Sequence, residues 1–254
     1  MNTPTGPSLP RSLGQARVPQ LPCAAFYVSD FITEDEEKLI LEKIASAPKP
    51  RWKQLSKRRL QTWPSDLIRD KLVDAPLPSW LEDPIVTRLQ SFRLEEDADA
   101  QSHIFSDSPH GRPNHVLINE YPPGIGIMPH KDGAAYHPIV CTVSLGASIC
   151  LNIYQANDDG TLDKTAISRI LQEPRSLLIT TAELYTNYLH GIDDIVEDVE
   201  LSEQTIANWS LLRSNSAFHD GRNLRQMRTS LTYRDVLSVS KLGNKLGLSF
   251  GRGK

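Results

Sequence analysis

The sequence predicts a mainly β protein with flanking helices (α+β), its core a sandwich or jelly-roll barrel. Three observations predict it. From His115 onward the chain offers "NHVLINEY", "IVCTVSLG", "SICLNIY", "RSLLITT" and "RTSLTYRDV", short β-branched runs separated by Gly, Pro, Asn and Asp. No helical periodicity intervenes between these runs, which favours a sandwich or barrel. The clear helical pattern lies ahead of them, and 254 residues suffice for one such domain with a substantial core.

The elements follow in order. Residues 1–20 hold four of the 18 prolines with Ser, Thr and Gly, the composition of a disordered leader. A single domain is expected over 21–238. It opens on the apolar run "AAFYVSDFI" and continues into "TEDEEKLILEKIASA". There Thr33 and Glu36 form a capping-box pattern, and Leu39, Ile40, Ile44 and Ala47 recur at helical spacing, so the pattern predicts an amphipathic helix over 34–47. In "KPRWKQLSKRRLQTWP", Lys49, Arg51, Lys53, Lys57, Arg58 and Arg59 stand without an acid, interleaved with Trp52 and Trp63. A solvated loop or hairpin accounts for the charge. The tryptophans add the make-up of a nucleic-acid surface, where cations meet phosphates and rings stack on bases. Between "LHGI" and the last strand lies an insertion, about 192–226. Its first part, 193–203, carries six acids and no base and reads as an exposed, partly disordered loop. A basic tail, 239–254, closes the chain.

Bulk numbers narrow the function class. Hydrophobic residues make up 39% and charged residues 23%, ordinary for a globular domain, and a formal net charge of -3 does not suit coating of nucleic acid by bulk electrostatics. Cys23, Cys141 and Cys150 are widely spaced with no CxxC, which argues for a reducing compartment and against disulfide scaffolding or structural zinc. The N-terminus lacks the apolar core of a signal peptide. The longest uncharged stretch, 133–157, contains proline, glycine and many polar side chains and reads as strands, not as a membrane span. A monomer of the cytoplasm, the nucleus or both is expected, without a membrane partner.

The chemistry begins at "INEYPPGIGIMPHKDGA". In an extended segment residues two apart face one side, so His130 and Asp132 can present an imidazole nitrogen and a carboxylate oxygen to one point. Alone, the pair is equally a histidine hydrogen-bonded in a turn. A facial-triad iron site needs a second histidine. Of the other six, His190 in "TNYLHGI" is best placed, after a strand-like run and before Gly191, whereas His103, His110, His115, His137 and His219 lie in polar, loop-like or strand-start settings. In "HVLINEY", His115, Leu117, Asn119 and Tyr121 share one face. Asn119 and Tyr121 inside a barrel would cost about 1–3 kcal/mol each if unpartnered, so they point to a polar ligand or to ordered water. Arg228 and Arg234 share a face of "RTSLTYR" with Ser230 and Thr232 between them. Two inward arginines suggest a dicarboxylate held by bidentate pairs. The alternative pairs one arginine with an acid and exposes the other at the strand end.

Together, N-x-Y, H-x-D nine residues after the tyrosine, a distant His and R-x-x-x-x-x-R resemble the AlkB family of Fe(II)/2-oxoglutarate dioxygenases. "SLG", "EPRSLLI", "LHGI" and the basic segment follow the family in order, and the resemblance covers about 22–236. It implies a double-stranded β-helix with an N-terminal helix and a substrate lid at 49–65. It implies Fe(II) on His130, Asp132 and His190, 2-oxoglutarate on Asn119, Tyr121, Arg228 and Arg234, and O2 as oxidant. Ser230 stands where the family often has asparagine, and it reaches less far. The implied reaction is oxidative demethylation or hydroxylation of a methylated nucleic-acid base, with Trp52, Arg59, Gln61, Trp63 and Tyr136 contacting the strand or flipped base. The same chemistry on a protein side chain or small molecule is the second reading, and a catalytically silent binding module the third.

Overall fold

A computed structural model describes residues 6–7, 9–21, 25–93, 102–155 and 165–240. The basic tail beyond 240 lies outside the described residues. Thr33 does start a helix. Its hydroxyl accepts from the Glu36 amide at 3.2 Å, and the Glu36 carboxylate accepts from the Thr33 amide at 2.8 Å, so α1 runs Glu34–Ala45 behind a complete capping box. Ile40 and Ile44 enter the core, while Leu39 stays half exposed. A second helical stretch comprises α2 (Ser79–Leu81), Glu82–Val86 and α3 (Thr87–Ser91), and it is broken where Asp83 leaves helical geometry. No helix among the described residues is long and apolar enough to cross a membrane.

Strands are numbered along the chain: β1 (Ala25–Val28), β2 (Lys53–Gln54), β3 (Arg59–Trp63), β4 (Leu72–Val73), β5 (His115–Tyr121), β6 (Ile127–His130), β7 (Ile139–Leu145) and β8 (Ile149–Gln155). Then come β9 (Ser168–Gln172), β10 (Leu177–Thr181), β11 (Tyr188–Ile192), β12 (Glu197–Asp198), β13 (Asn223–Leu224), β14 (Arg228–Arg234) and β15 (Val239–Ser240). The five runs read from sequence become β5, β7, β8, β10 and β14. Two antiparallel sheets result, of order β1-β10-β7-β14-β5-β3-β2 and β6-β11-β8-β9. This is the jelly-roll layout of a double-stranded β-helix. The outer face of the larger sheet (Val116, Ile118, Val143, Leu231, Tyr233) packs on Ile40 and Ile44 of α1 and on Leu81 and Ile85. Its inner face, which carries Asn119, Tyr121 and both arginines, turns toward the smaller sheet. Period-2 alternation thus separates a dry helix-backed layer from a polar interior.

Two expectations fail. The leader is folded from Ser12 onward. The Leu13 amide donates to Arg93 O at 2.9 Å, the Val18 amide to Ala25 O at 2.8 Å, and Leu13 and Val18 are fully buried. Its apolar residues find a groove that local composition cannot show. The insertion is likewise packed. Leu201, Ile206, Ala207 and Phe218 are buried against the smaller sheet, and the Asn208 amide both donates to and accepts from the Leu171 backbone, covering the open edge of β9. The acids find partners from the far end of the same insertion. Asp198 is held bidentately by Arg225, both fully buried, and Glu197 pairs with Arg222.

Candidate active site

β6 and β11 bring the two histidines together. His130 ends β6 and pairs in register with His190 of β11, with ring centroids 4.4 Å apart. Asp132 follows two residues on, and one ligand atom from each of the three lies within 4.8 Å of the others. His130 Nδ1 sits 2.9 Å from Met128 O. A carbonyl only accepts, so Nδ1 carries the proton and Nε2 is left as the ligand atom. Burial, opposed by the Asp132 carboxylate, draws the His190 pKa down to about 4, so its imidazole is neutral at pH 7, the form a metal takes.

Glycine makes this pairing possible. A Cβ on Gly126 would lie 1.9 Å from Ile192 O, and one on Gly191 would lie 3.0 Å from Pro129 N. Gly126→Ala should therefore push β6 off β11, costing about 1–3 kcal/mol in a denaturant titration and weakening metal binding with it.

A cavity of about 460 Å³ runs beneath the triad between the sheets. Asn119 and Tyr121 of β5 and Arg228, Ser230, Thr232 and Arg234 of β14 all line it, Ser230 directly opposite Asn119 and Arg228 opposite Tyr121. Arg228 is 2% exposed and, among the described residues, meets no carboxylate. Its Nη2 donates to Ser144 Oγ at 2.8 Å and to Gln172 Oε1 at 3.1 Å, and its charge lies 5.4 Å from the Tyr121 ring. Burial draws its pKa down to about 10. A buried cation whose hydrogen-bond partners are neutral is short of an anion. Arg234 instead pairs with Asp132 and lies 4.8 Å over the Tyr136 ring. One arginine is thus paired with an acid, but that acid belongs to the triad, and neither arginine is exposed. Two imidazoles, one carboxylate and an uncommitted guanidinium facing one cavity fit Fe(II) and a dicarboxylate.

Of the five side chains expected at the substrate, Tyr136 alone lines the cavity. In β3 the odd residues face away. Gln61 is fully buried and donates to Ile44 O at the end of α1, and its Oε1 accepts from Trp63 Nε1. Trp63 packs edge-on against Trp80 and under Arg51. Arg59 pairs with Glu120, on the outer side of β5, and stacks 4.0 Å over Trp52. The even side is the one that enters: Arg58 and Leu60 line the cavity, Leu60 opposite Asn119. Lys131 and Tyr185 complete the mouth and were not foreseen. The pairing of β3 with β5 is the signal that would have found Arg58 and Leu60, since it sets which side faces Asn119.

A two-sheet barrel with His-x-Asp and a distant His at its mouth, above a buried arginine that meets no carboxylate among the described residues, is the frame of an iron- and 2-oxoglutarate-dependent oxygenase. The sequence profile of the 2OG-Fe(II) oxygenase superfamily matches residues 27–234, and the chain belongs to that superfamily as an AlkB-type enzyme using Fe(II), 2-oxoglutarate and O2. It is 36% identical over 241 residues to a Danio rerio protein named probable RNA/DNA demethylase ALKBH6, covering 91% of this chain and 93% of that one. It is 27% identical over 229 residues to the Xenopus tropicalis tRNA (carboxymethyluridine(34)-5-O)-methyltransferase alkbh8, spanning 86% of this chain but 32% of that longer protein. The solved structure of OsALKBH1 matches with a TM-score of 0.53 at 16% identity, over 85% of this chain and 99% of that one, a likeness of fold alone.

Proposed function

We propose that the enzyme demethylates a methylated base in nucleic acid, with the strand held on a basic rim at the cavity mouth. The observation that carries this is the rim itself. Arg58 and Lys131 supply two cations, and Tyr136 and Tyr185 supply two rings, while Asp70 and Asp132 are the acids lining the cavity. Cations for phosphates and rings for bases are what a single strand requires. The acidic stretch 193–203 gives little support to a protein or small-molecule substrate, because Asp194, Glu197 and Asp198 pair with Lys57, Arg222 and Arg225. The name of the Danio rerio relative points the same way.

Bound Fe(II) and 2-oxoglutarate supply the oxidation: O2 is consumed, 2-oxoglutarate leaves as succinate and CO2, and one oxygen atom enters the substrate C–H bond. An N-hydroxymethyl product then releases formaldehyde and the free amine. The chain supplies position. His130, Asp132 and His190 would hold the metal; Arg234, paired with Asp132, would stand at the metal end of the co-substrate, and Arg228 with Tyr121 and Asn119 would be free for its other carboxylate. Ser230 lines the floor between them. Leu151, Ile153 and Leu178 wall the cavity with apolar surface that excludes water.

The test is mass spectrometry of a panel of methylated single-stranded oligonucleotides with succinate measured in parallel. Loss of the methyl group matched by succinate is expected. Succinate release stimulated by peptides or metabolites and not by any oligonucleotide would overturn the reading. Replacing both Arg58 and Lys131 by alanine should raise KM for the oligonucleotide about tenfold and flatten its salt dependence, as loss of about two phosphate contacts requires.

A further inference from the structure

We infer that His115 is a positioning residue of the iron centre, holding the Arg234 guanidinium from behind through one bound water shared by His115 Nδ1 and Arg234 Nε. This rests on the oxygenase reading of the site. His115 and Arg234 are directly opposite each other across β5 and β14, so their side chains share the inner face with Cβ atoms about 5 Å apart. Both are at least nine-tenths buried, at 2% and 6% exposure. Among the described residues, His115 Nδ1 and Arg234 Nε are both buried and neither has a hydrogen-bond partner, the other included.

Their chemistry is complementary. His115 Nε2 lies 3.2 Å from Ser65 O, an acceptor, so Nε2 carries the proton of the ring. Burial and the Arg234 charge pull the His115 pKa down to about 4, which leaves one proton on the imidazole. Nδ1 is therefore a lone-pair acceptor, and Arg234 Nε–H is a donor. A water between them accepts from one and donates to the other, removing two buried unmet groups at once. The guanidinium is then fixed on three sides: by this water, by Asp132 at its far end and by the Tyr136 ring 4.8 Å beneath it. Ser65 follows Pro64 just after β3, so the imidazole also ties the end of the β2–β3 hairpin to the arginine that pairs with Asp132.

The experiment compares wild type, His115→Phe and His115→Gln. Phenylalanine keeps a ring of similar size and removes both nitrogens, and glutamine restores one donor and one acceptor. The readouts are the anaerobic Fe(II)–2-oxoglutarate charge-transfer absorption band, titrated with 2-oxoglutarate, and the melting temperature of the metal-free protein. His115→Phe should raise the apparent Kd for 2-oxoglutarate about tenfold, with His115→Gln recovering most of that loss. Failure of the wild type to form the band would overturn the oxygenase reading itself. A normal wild type with His115→Phe within twofold of it, or with His115→Gln as impaired as His115→Phe, overturns the role of His115. Should His115→Phe not fold, a high-resolution crystal structure of the wild type decides: a water within about 3 Å of both atoms is required.

Discussion

Asp132→Ala is expected to abolish turnover and the Fe(II)–2-oxoglutarate absorption band, and to destabilise the metal-free protein as well. The double effect follows from the two partners of one carboxylate. It supplies one of three clustered ligand atoms, and it also pairs with Arg234, their side chains 8% and 7% exposed. Removing it leaves a buried guanidinium with no anion, which costs about 3–5 kcal/mol when such a pair is broken from one side. His190→Ala provides the contrast, since it deletes a ligand but leaves Asp132 and Arg234 paired. Both variants should lose the band, and Asp132→Ala alone should show a large drop in denaturant midpoint. A band of wild-type intensity in either variant would remove that residue from the iron centre. Equal midpoints in the two would show that the Arg234 pair contributes little.

Much of the fold was legible because alternation is local. In "HVLINEY" and "RTSLTYR" each strand carries its inner and outer faces in its own residues, and the structure puts Asn119, Tyr121, Arg228 and Arg234 inside together as read. Thr33 and Glu36 likewise announce α1 by themselves. What was not legible depended on distant partners. Whether Arg59 or Arg58 faces the cavity is set by the pairing of β3 with β5, and a one-residue slip exchanges every side chain between faces. Asp198 reads as a solvated acid until Arg225 closes on it from 27 residues away. Leu13 and Val18 read as leader until β1, Arg93 and the core surround them. The chemistry-bearing residues escaped this difficulty, because His130 with Asp132, and Arg228 with Arg234, are each placed by a single extended segment.

Arg228→Met is expected to separate cofactor binding from stability in opposite directions. Methionine is unbranched and apolar, so it fills most of the space of the arginine stem and removes the charge. In the protein without 2-oxoglutarate, Arg228 is a buried cation whose hydrogen-bond and ring partners, Ser144, Gln172 and Tyr121, are neutral. Its depressed pKa, about 10, reflects the cost of holding that charge away from water. Replacing it should therefore leave the melting temperature unchanged or raise it, as with other buried charges exchanged for apolar groups of similar volume. A dicarboxylate entering the cavity meets the same charge as its partner. Losing one side of a buried, hydrogen-bonded charge pair costs about 2–5 kcal/mol, or roughly 30- to 5,000-fold in Kd for 2-oxoglutarate. Arg228→Lys should fall between, because a point charge replaces a planar fork and cannot bind a carboxylate bidentately. Thermal melts and anaerobic titration of the absorption band measure the two quantities independently. A variant that melts far below wild type would make Arg228 a structural residue. One that binds 2-oxoglutarate as tightly as wild type would move the co-substrate away from β14.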